Sequence, residues 1–462
     1  MSTSPRTLVS AVMVAVFLAA VDQTIVSIAL LRISTELGDT RHYAWVFTAY
    51  MVATTVCVPI AGTMGDMYGR RPVLLFGLVV FTLGSLFAGS AESMMQLIAF
   101  RGVQGIGAGI LTSNAFALLG DVYPVEQMAR MTGLMSAVYG LAGAVGPVLG
   151  GVITDQLSWR WIFWCNVPAC VLIAAVLWQR LPKLAAHPEH PVDSVGAALL
   201  LATLIPALLA LHWLGEGVDF TSWTVVGAVA MALLSGLGFV SVERRALRPI
   251  IELRLFHSLP FSVAMASMLT VALAMYAAIL YAPLLFQQRM ALSATQAGLV
   301  TAPLVLALSV TAAIGGRLVG RGMAYYAPAA LGVVIAAAGM AALSLLDARS
   351  GAGLAALAMA VIGAGLGFTM PTLLLAAQAA TTYEYLGVTT ALAKFFRAVG
   401  GLLGAVLAGA AIRRYQVAGY EQGDAISAMM GWAAGAMLLT LLLTLVLRRT
   451  ETSRSASPNV SG

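Results

Sequence analysis

Apolar runs of membrane-spanning length follow one another along almost the whole chain. They lie at 7–31, 43–63, 72–90, 93–119, 130–153, 161–180, 194–213, 222–242, 260–285, 295–316, 325–345, 351–378, 388–411 and 425–447. A helix needs roughly 20 apolar residues to cross a bilayer, and a helix satisfies its own backbone polar groups there. Barrel strands alternate apolar and polar residues, and these runs do not. With 60% hydrophobic and 10% charged residues among 462, the chain has too little polar surface to be solvated by water alone. The sequence therefore predicts an all-α polytopic membrane protein with fourteen spans.

The net charge of +6 is a matter of topology, not of nucleic acid binding. An even number of spans puts both termini on one side. The loops of that side hold most of the 25 basic residues, among them Arg70, Arg71, Arg180, Lys183, Arg244, Arg245, Arg248, Arg254, Arg448 and Arg449. The opposite loops hold Arg32, Arg41, Arg160, Arg289, Arg349, Arg413 and Arg414, while Arg101, Lys394 and Arg397 fall inside spans. Positive loops stay in the cytoplasm, so both termini are expected there. Cys57, Cys165 and Cys170 all fall in apolar runs and read as buried, reduced thiols. No metal-ligand spacing occurs. Neither lysine follows a glycine-rich phosphate loop, so no nucleotide or other cofactor is expected. The first run is too long for a signal peptide and is kept as a mature span.

Two blocks of six spans, at 1–182 and 259–450, flank a segment at 183–258 that holds a proline-bearing linker and two further spans. Residues 451–462 are serine-rich and expected to be a disordered tail. Between the second and third spans stands Gly62-Thr-Met-Gly-Asp66-Met-Tyr-Gly69-Arg70-Arg71, a charged turn between two apolar runs. It resembles the loop between helices 2 and 3 of the major facilitator superfamily, with Met64 in place of the usual leucine. Gly316-Arg-Leu-Val-Gly320-Arg-Gly, between spans 10 and 11, is a weaker copy in which Gly320 stands where the acid would be. Six plus two plus six spans is the plan of that superfamily's fourteen-span drug:proton antiporter branch. The resemblance implies a transporter, not an enzyme, with the loop acting as a gate element.

Asp22 is the acid placed well inside a span. A carboxylate at that depth costs on the order of 2.5–3.5 kcal/mol by insertion scales, so it must face protein or a water-filled cavity. The stretch Asp22-Gln-Thr-Ile-Val-Ser-Ile-Ala-Leu is similar to the first-helix signature of the fourteen-span antiporters, where this acid is associated with transport; Leu31 stands where the family usually has proline. In the fourth span, helical spacing puts Arg101, Gln104, Gly105 and Ala108 on one face. This string resembles the family motif implicated in proton transfer. Asp22 lies about nine residues, and Arg101 about eight, from the outer ends of their runs, which at roughly 1.5 Å per residue puts them at one depth. The two are expected to approach each other, directly or through water. For each residue the competing account is a purely structural ion pair.

The fifth span carries Gly143, Gly146, Pro147, Gly150 and Gly151. Glycines let helices approach closely and proline frees a carbonyl. The pattern resembles the antiporter motif that the family's exporters share, with Ala142 in place of the first glycine. Trp159-Arg-Trp-Ile-Phe-Trp-Cys-Asn166-Val-Pro168 also resembles the drug-antiporter branch and reads physically as an aromatic belt. Lys394 and Arg397, one turn apart before Gly400, Gly401 and Gly404, suit either a basic patch of a cargo cavity or residues that snorkel to the interface. Gln104, Met275 and Tyr276 are further cavity candidates, with packing or lipid contact as the alternative for Met265, Met268, Met275, Tyr276 and Tyr281. The expected partners are a small-molecule cargo, protons and the lipid bilayer, around a monomer. Alternating access with proton-driven export is the leading expectation. A proton-coupled importer of the same fold and a non-transporting membrane sensor are its rivals.

Overall fold

The computed structural model describes residues 5–123, 125–180, 194–246, 249–347, 349–382 and 385–455. Among them every regular element is helical: α1 (Pro5–Glu36), α2 (Tyr43–Tyr68), α3 (Arg70–Gly89), α4 (Met94–Val122), α5 (Val125–Gln156), α6 (Trp161–Trp164), α7 (Asn166–Arg180), α8 (Ser194–Gly215) and α9 (Trp223–Glu243), then a 3-10 turn η1 (Leu253–His257), α10 (Leu259–Arg289), α11 (Ala294–Gly320), α12 (Tyr326–Ser344), α13 (Ala352–Ala379), α14 (Leu386–Val417) and α15 (Gln422–Ser455). Among the described residues 13 helices are long and apolar enough to cross a membrane, counting α6 and α7 as one, and the apolar part of α2, Tyr43–Val58, is shorter.

Local chemistry sets the helix ends. Ser93 caps α4 by accepting from the Gln96 N–H at 3.3 Å, and Ser222 caps α9 by accepting from Val225 N–H at 3.3 Å. Gly69 joins α2 to α3 with φ +89, a left-handed conformation open to glycine, so the two helices turn on a single residue. The sixth crossing is broken. Pro168 cannot donate to the Trp164 carbonyl, and the helix is interrupted at Cys165 before α7 begins at Asn166. Leu31, where a proline was the familiar residue, leaves α1 uninterrupted to Glu36, beyond the expected end at 31.

By packing, the chain divides into two units. The first comprises 1–210, 220–250 and 293–298, and the second 211–219, 251–292 and 299–462. Within the first unit, α4 is clasped between α2 and α3 through glycines. A methyl group on Gly105 would lie 2.4 Å from the Tyr50 carbonyl oxygen, one on Gly107 2.4 Å from the Phe81 nitrogen, and one on Gly84 2.6 Å from the Gln104 nitrogen. Val12, Val16, Leu74, Leu78, Phe81 and Leu111 form the apolar core beside this clasp. α9 lies at the edge, with Trp223 90% and Leu234 70% exposed, as suits a helix solvated by lipid.

In the second unit α14 lies against α10 through the same device. A methyl group on Gly400 would meet the Leu269 carbonyl oxygen at 2.2 Å, and one on Gly404 that of Leu273 at 2.1 Å. The last turn of α8 belongs here, with Gly215 against Ala410 and Glu216 3.9 Å from Arg413. α15 continues to Ser455, so 451–455 extend a helix where a disordered tail was expected, while the linker at 181–193 and residues 456–462 lie outside the described residues.

Gly404→Ala should lower stability by about 1–3 kcal/mol, the usual cost of overpacking. Gly431→Ala, with nothing within 4 Å of the added carbon, should leave it unchanged. Thermal unfolding of the two variants in one detergent checks this.

A buried ion pair as candidate functional site

The structure brings Asp22 and Arg101 into direct contact. Arg101 Nη1 donates to Asp22 Oδ2, and both side chains are fully buried. The same Nη1 donates to Gln104 Oε1 at 2.7 Å, and Nε donates to the Val46 carbonyl at 3.3 Å. The guanidinium lies 4.1 Å from the Tyr50 ring centre and 5.7 Å from that of Phe163. Tyr50 is held by its own hydroxyl, which donates to the Ala19 carbonyl at 2.9 Å. Arg101 is thus fixed by a carboxylate, an amide, a backbone carbonyl and an aromatic face, a combination that lets a cation survive away from water.

The carboxylate has two further donors, of which the sequence singled out Gln104, for a different role, and not Asn166. Asp22 Oδ1 accepts from Gln104 Nε2 at 2.8 Å and from Asn166 Nδ2 at 3.0 Å. Both amides also donate to Ser85 Oγ, at 2.7 and 3.0 Å. In the sequence Asn166 reads as part of the aromatic belt, and its place next to Val167-Pro168 is the signal that sets it apart. Ser85 carried none, since isolated serines are common in membrane helices. Gln104, expected on a cavity wall, is instead fully buried within this network.

The glycines of α5 hold the turn of α1 that carries Asp22. A methyl group on Gly146 would lie 2.0 Å from Thr24 Oγ1, and one on Gly150 2.6 Å from the Ile25 carbonyl oxygen. Thr24 Oγ1 donates to the carbonyl of Ala142, the residue standing for the motif's first glycine, at 3.3 Å. At the other face of α5, Gly151 lies against Ala294 and Thr295, and Pro147 against Gly298. Asp155 accepts there from the backbone N–H of Ala294 and Thr295 at 3.3 and 2.8 Å and from the Thr295 hydroxyl at 2.7 Å.

In the loop after α2, Arg70 Nε donates to Asp121 Oδ2 at 3.0 Å and Nη1 to the Gly62 carbonyl at 3.1 Å. Arg71 donates to the Trp178 carbonyl at 2.5 Å and lies over its ring. The Asp66 side chain lies outside the described residues. Asp121, near the end of α4, is a loop partner that sequence reasoning missed.

Several expectations are corrected. Trp159, in the turn before α6, is fully buried, its indole donating to Glu36 Oε2 at 2.8 Å, while Trp161, the first residue of α6, is exposed, so no continuous belt forms. Cys165, at the break, is an exposed thiol, and all three cysteines are free. Met265, Met268, Met275 and Tyr281 are buried packing residues rather than open lining, and Tyr276 fills the space above Gly401. Lys394 and Arg397 are exposed on α14 in the second unit.

The sequence profile of the Major Facilitator Superfamily matches residues 12–405, and the chain belongs to that family. It is 34% identical to the Multidrug transporter protein MdtP of Bacillus subtilis (strain 168), over 88% of this chain and 75% of that protein. It is 31% identical to Multidrug resistance protein 3 of the same organism, over 93% of this chain and 83% of that protein. The fold is that of a peptide transporter POT crystallised with sulfate, at 15% identity and a TM-score of 0.73, covering 97% of this chain and 95% of that one. The chain is a multi-pass membrane transporter, not an enzyme.

Arg101→Gln alone should destabilise the protein by about 3–5 kcal/mol, because it strands a buried carboxylate. The Asp22→Asn/Arg101→Gln double variant should lose much less than the sum of the two single losses. Chemical denaturation of the four proteins in lipid or detergent gives the coupling energy.

Proposed function

We propose that this protein is a fourteen-span drug:proton antiporter, exporting small lipophilic compounds by alternating access across a bacterial inner membrane. What carries the reading is the buried Asp22–Arg101 pair, placed in a chain whose relatives are named as multidrug transporters. In this reading both termini are cytoplasmic and a monomer is the working unit. A proton from the outside neutralises Asp22 and releases Arg101 from it. The change of charge in the first unit then biases the equilibrium between inward- and outward-open states. A ligand shifts such an equilibrium only through unequal affinity for the two states, and a buried carboxylate that is charged in one and neutral in the other supplies that inequality.

The loop of Gly62, Asp66, Gly69, Arg70 and Arg71 serves as the cytoplasmic gate element, with Arg70 changing its hold on Asp121. The α5 motif of Gly146, Pro147, Gly150 and Gly151 keeps α1 in register while the unit moves. Lys394 and Arg397 present positive charge to the cargo route from α14. A membrane potential of 100 mV is worth about 2.3 kcal/mol per charge moved, enough to drive export when more than one charge crosses per cargo.

Inside-out vesicles carrying the protein should accumulate a lipophilic dye when an inward-acid pH gradient is imposed, and a protonophore should abolish this. Asp22→Asn should lower the gradient-driven rate at least about tenfold, the loss of one essential proton-transfer group, while equilibrium dye binding is retained. Undiminished gradient-driven uptake by Asp22→Asn contradicts the reading.

A further inference from the structure

Asp22 and Ser85 are bridged twice. The side-chain amides of Gln104 and Asn166 each give one hydrogen to Asp22 Oδ1 and the other to Ser85 Oγ, closing a four-membered ring of side chains drawn from α1, α3, α4 and α7. Gln104 is already committed to Arg101 through its carbonyl oxygen. Asn166 and Ser85 have no such duty, yet they are only 4% and 0% exposed. The interruption of the sixth crossing at Cys165 is what presents Asn166 here. The short α6 before it is pinned by the Trp159 indole on Glu36 and by Trp164 seated against Gly89.

We propose that Asn166 and Ser85 are positioning residues that hold the Asp22 carboxylate against Arg101 and set the pH at which it takes up a proton. The inference rests on the reading of Asp22 as the proton-coupling group. An amide that donates to a carboxylate favours the charged form, and a hydroxyl that accepts from both amides fixes their hydrogens on that carboxylate. The other titratable groups around Asp22 are Arg101 from α4, Tyr50 from α2, Cys165 at the break and Cys170 from α7, with Tyr139 of α5 beyond Tyr50. Among these only Arg101 touches the carboxylate, whose other partners are the neutral donors Gln104 and Asn166.

The test is an infrared pH titration of the purified protein in lipid, the carboxyl band of Asp22 being assigned by subtraction of Asp22→Asn. Asn166→Ala should move the titration midpoint up by about one pH unit, a roughly tenfold change in proton affinity, and Ser85→Ala should move it in the same direction by less. Asn166→Asp sets a second carboxylate beside the first and should move it further still; it serves if the alanine variant does not fold. A midpoint identical to the wild-type protein in these variants, or no pH-dependent Asp22 band at all, overturns the proposal. Failure of wild-type vesicles to transport dye would refute the antiporter reading alone, because the band titrates whether or not cargo moves.

Discussion

The first unit is organised around one expense: a carboxylate and a guanidinium with no access to water. Desolvating such a pair costs several kcal/mol per ion, and mutual attraction offsets this only when the geometry is good and the remaining lone pairs are filled. Asp22 and Arg101 meet the first condition, and the second is met on the carboxylate side, while among the described residues Arg101 Nη2 finds no hydrogen-bond partner. The carboxylate receives donors from α4 and α7, and the guanidinium also has a carbonyl from α2 and the Tyr50 ring. These groups converge because glycines let the helices close in. Gly105 brings α4 onto the Tyr50 carbonyl, Gly84 brings α3 onto Gln104, and Gly146 and Gly150 bring α5 onto the turn around Asp22. The packing of the unit and the placement of its charges are one problem with one solution.

That solution has a dynamic consequence. With Asp22 1% exposed, the carboxylate is shielded from bulk solvent in the arrangement seen here. A carboxylate so held exchanges with water only when one of its neighbours moves. The neighbours lie on helices in tight glycine contact, where small displacements are resisted and larger, cooperative ones are the alternative. A charge change at such a site is therefore suited to bias a whole helical body rather than a single side chain, which is the demand that a coupled transporter places on its ionisable group.

Much of this was legible in the sequence and some was not, for physical reasons. The apolar runs announced the helices because crossing a bilayer imposes a length and a composition that little else requires. Asp22 and Arg101 were visible as costly residues at matching depth, and depth along a helix follows from residue count alone. Asn166 and Ser85 were not, because a neutral polar residue in a membrane helix carries little cost and so little signal. Asn166 acquires meaning only through the break at Cys165, which turns it toward α1. Trp159, in the turn before α6, points inward onto Glu36 while Trp161 at the start of α6 stays outside, so a row of aromatics that reads as one belt occupies two different environments. Met265, Met268 and Met275 are ambiguous in the sequence because an apolar, flexible side chain suits a packed core and a cargo surface equally well; their burial in the structure places them in packing.

The central claim is that Asp22, sealed here against Arg101, opens to a proton during the transport cycle. Reaction with dicyclohexylcarbodiimide, which attacks protonated carboxyl groups within membranes, tests it directly when the labelled residue is identified by peptide mass spectrometry. The account predicts modification at Asp22 that rises as pH falls and is suppressed by cargo. Active transport with Asp22 left unlabelled at every pH would contradict it.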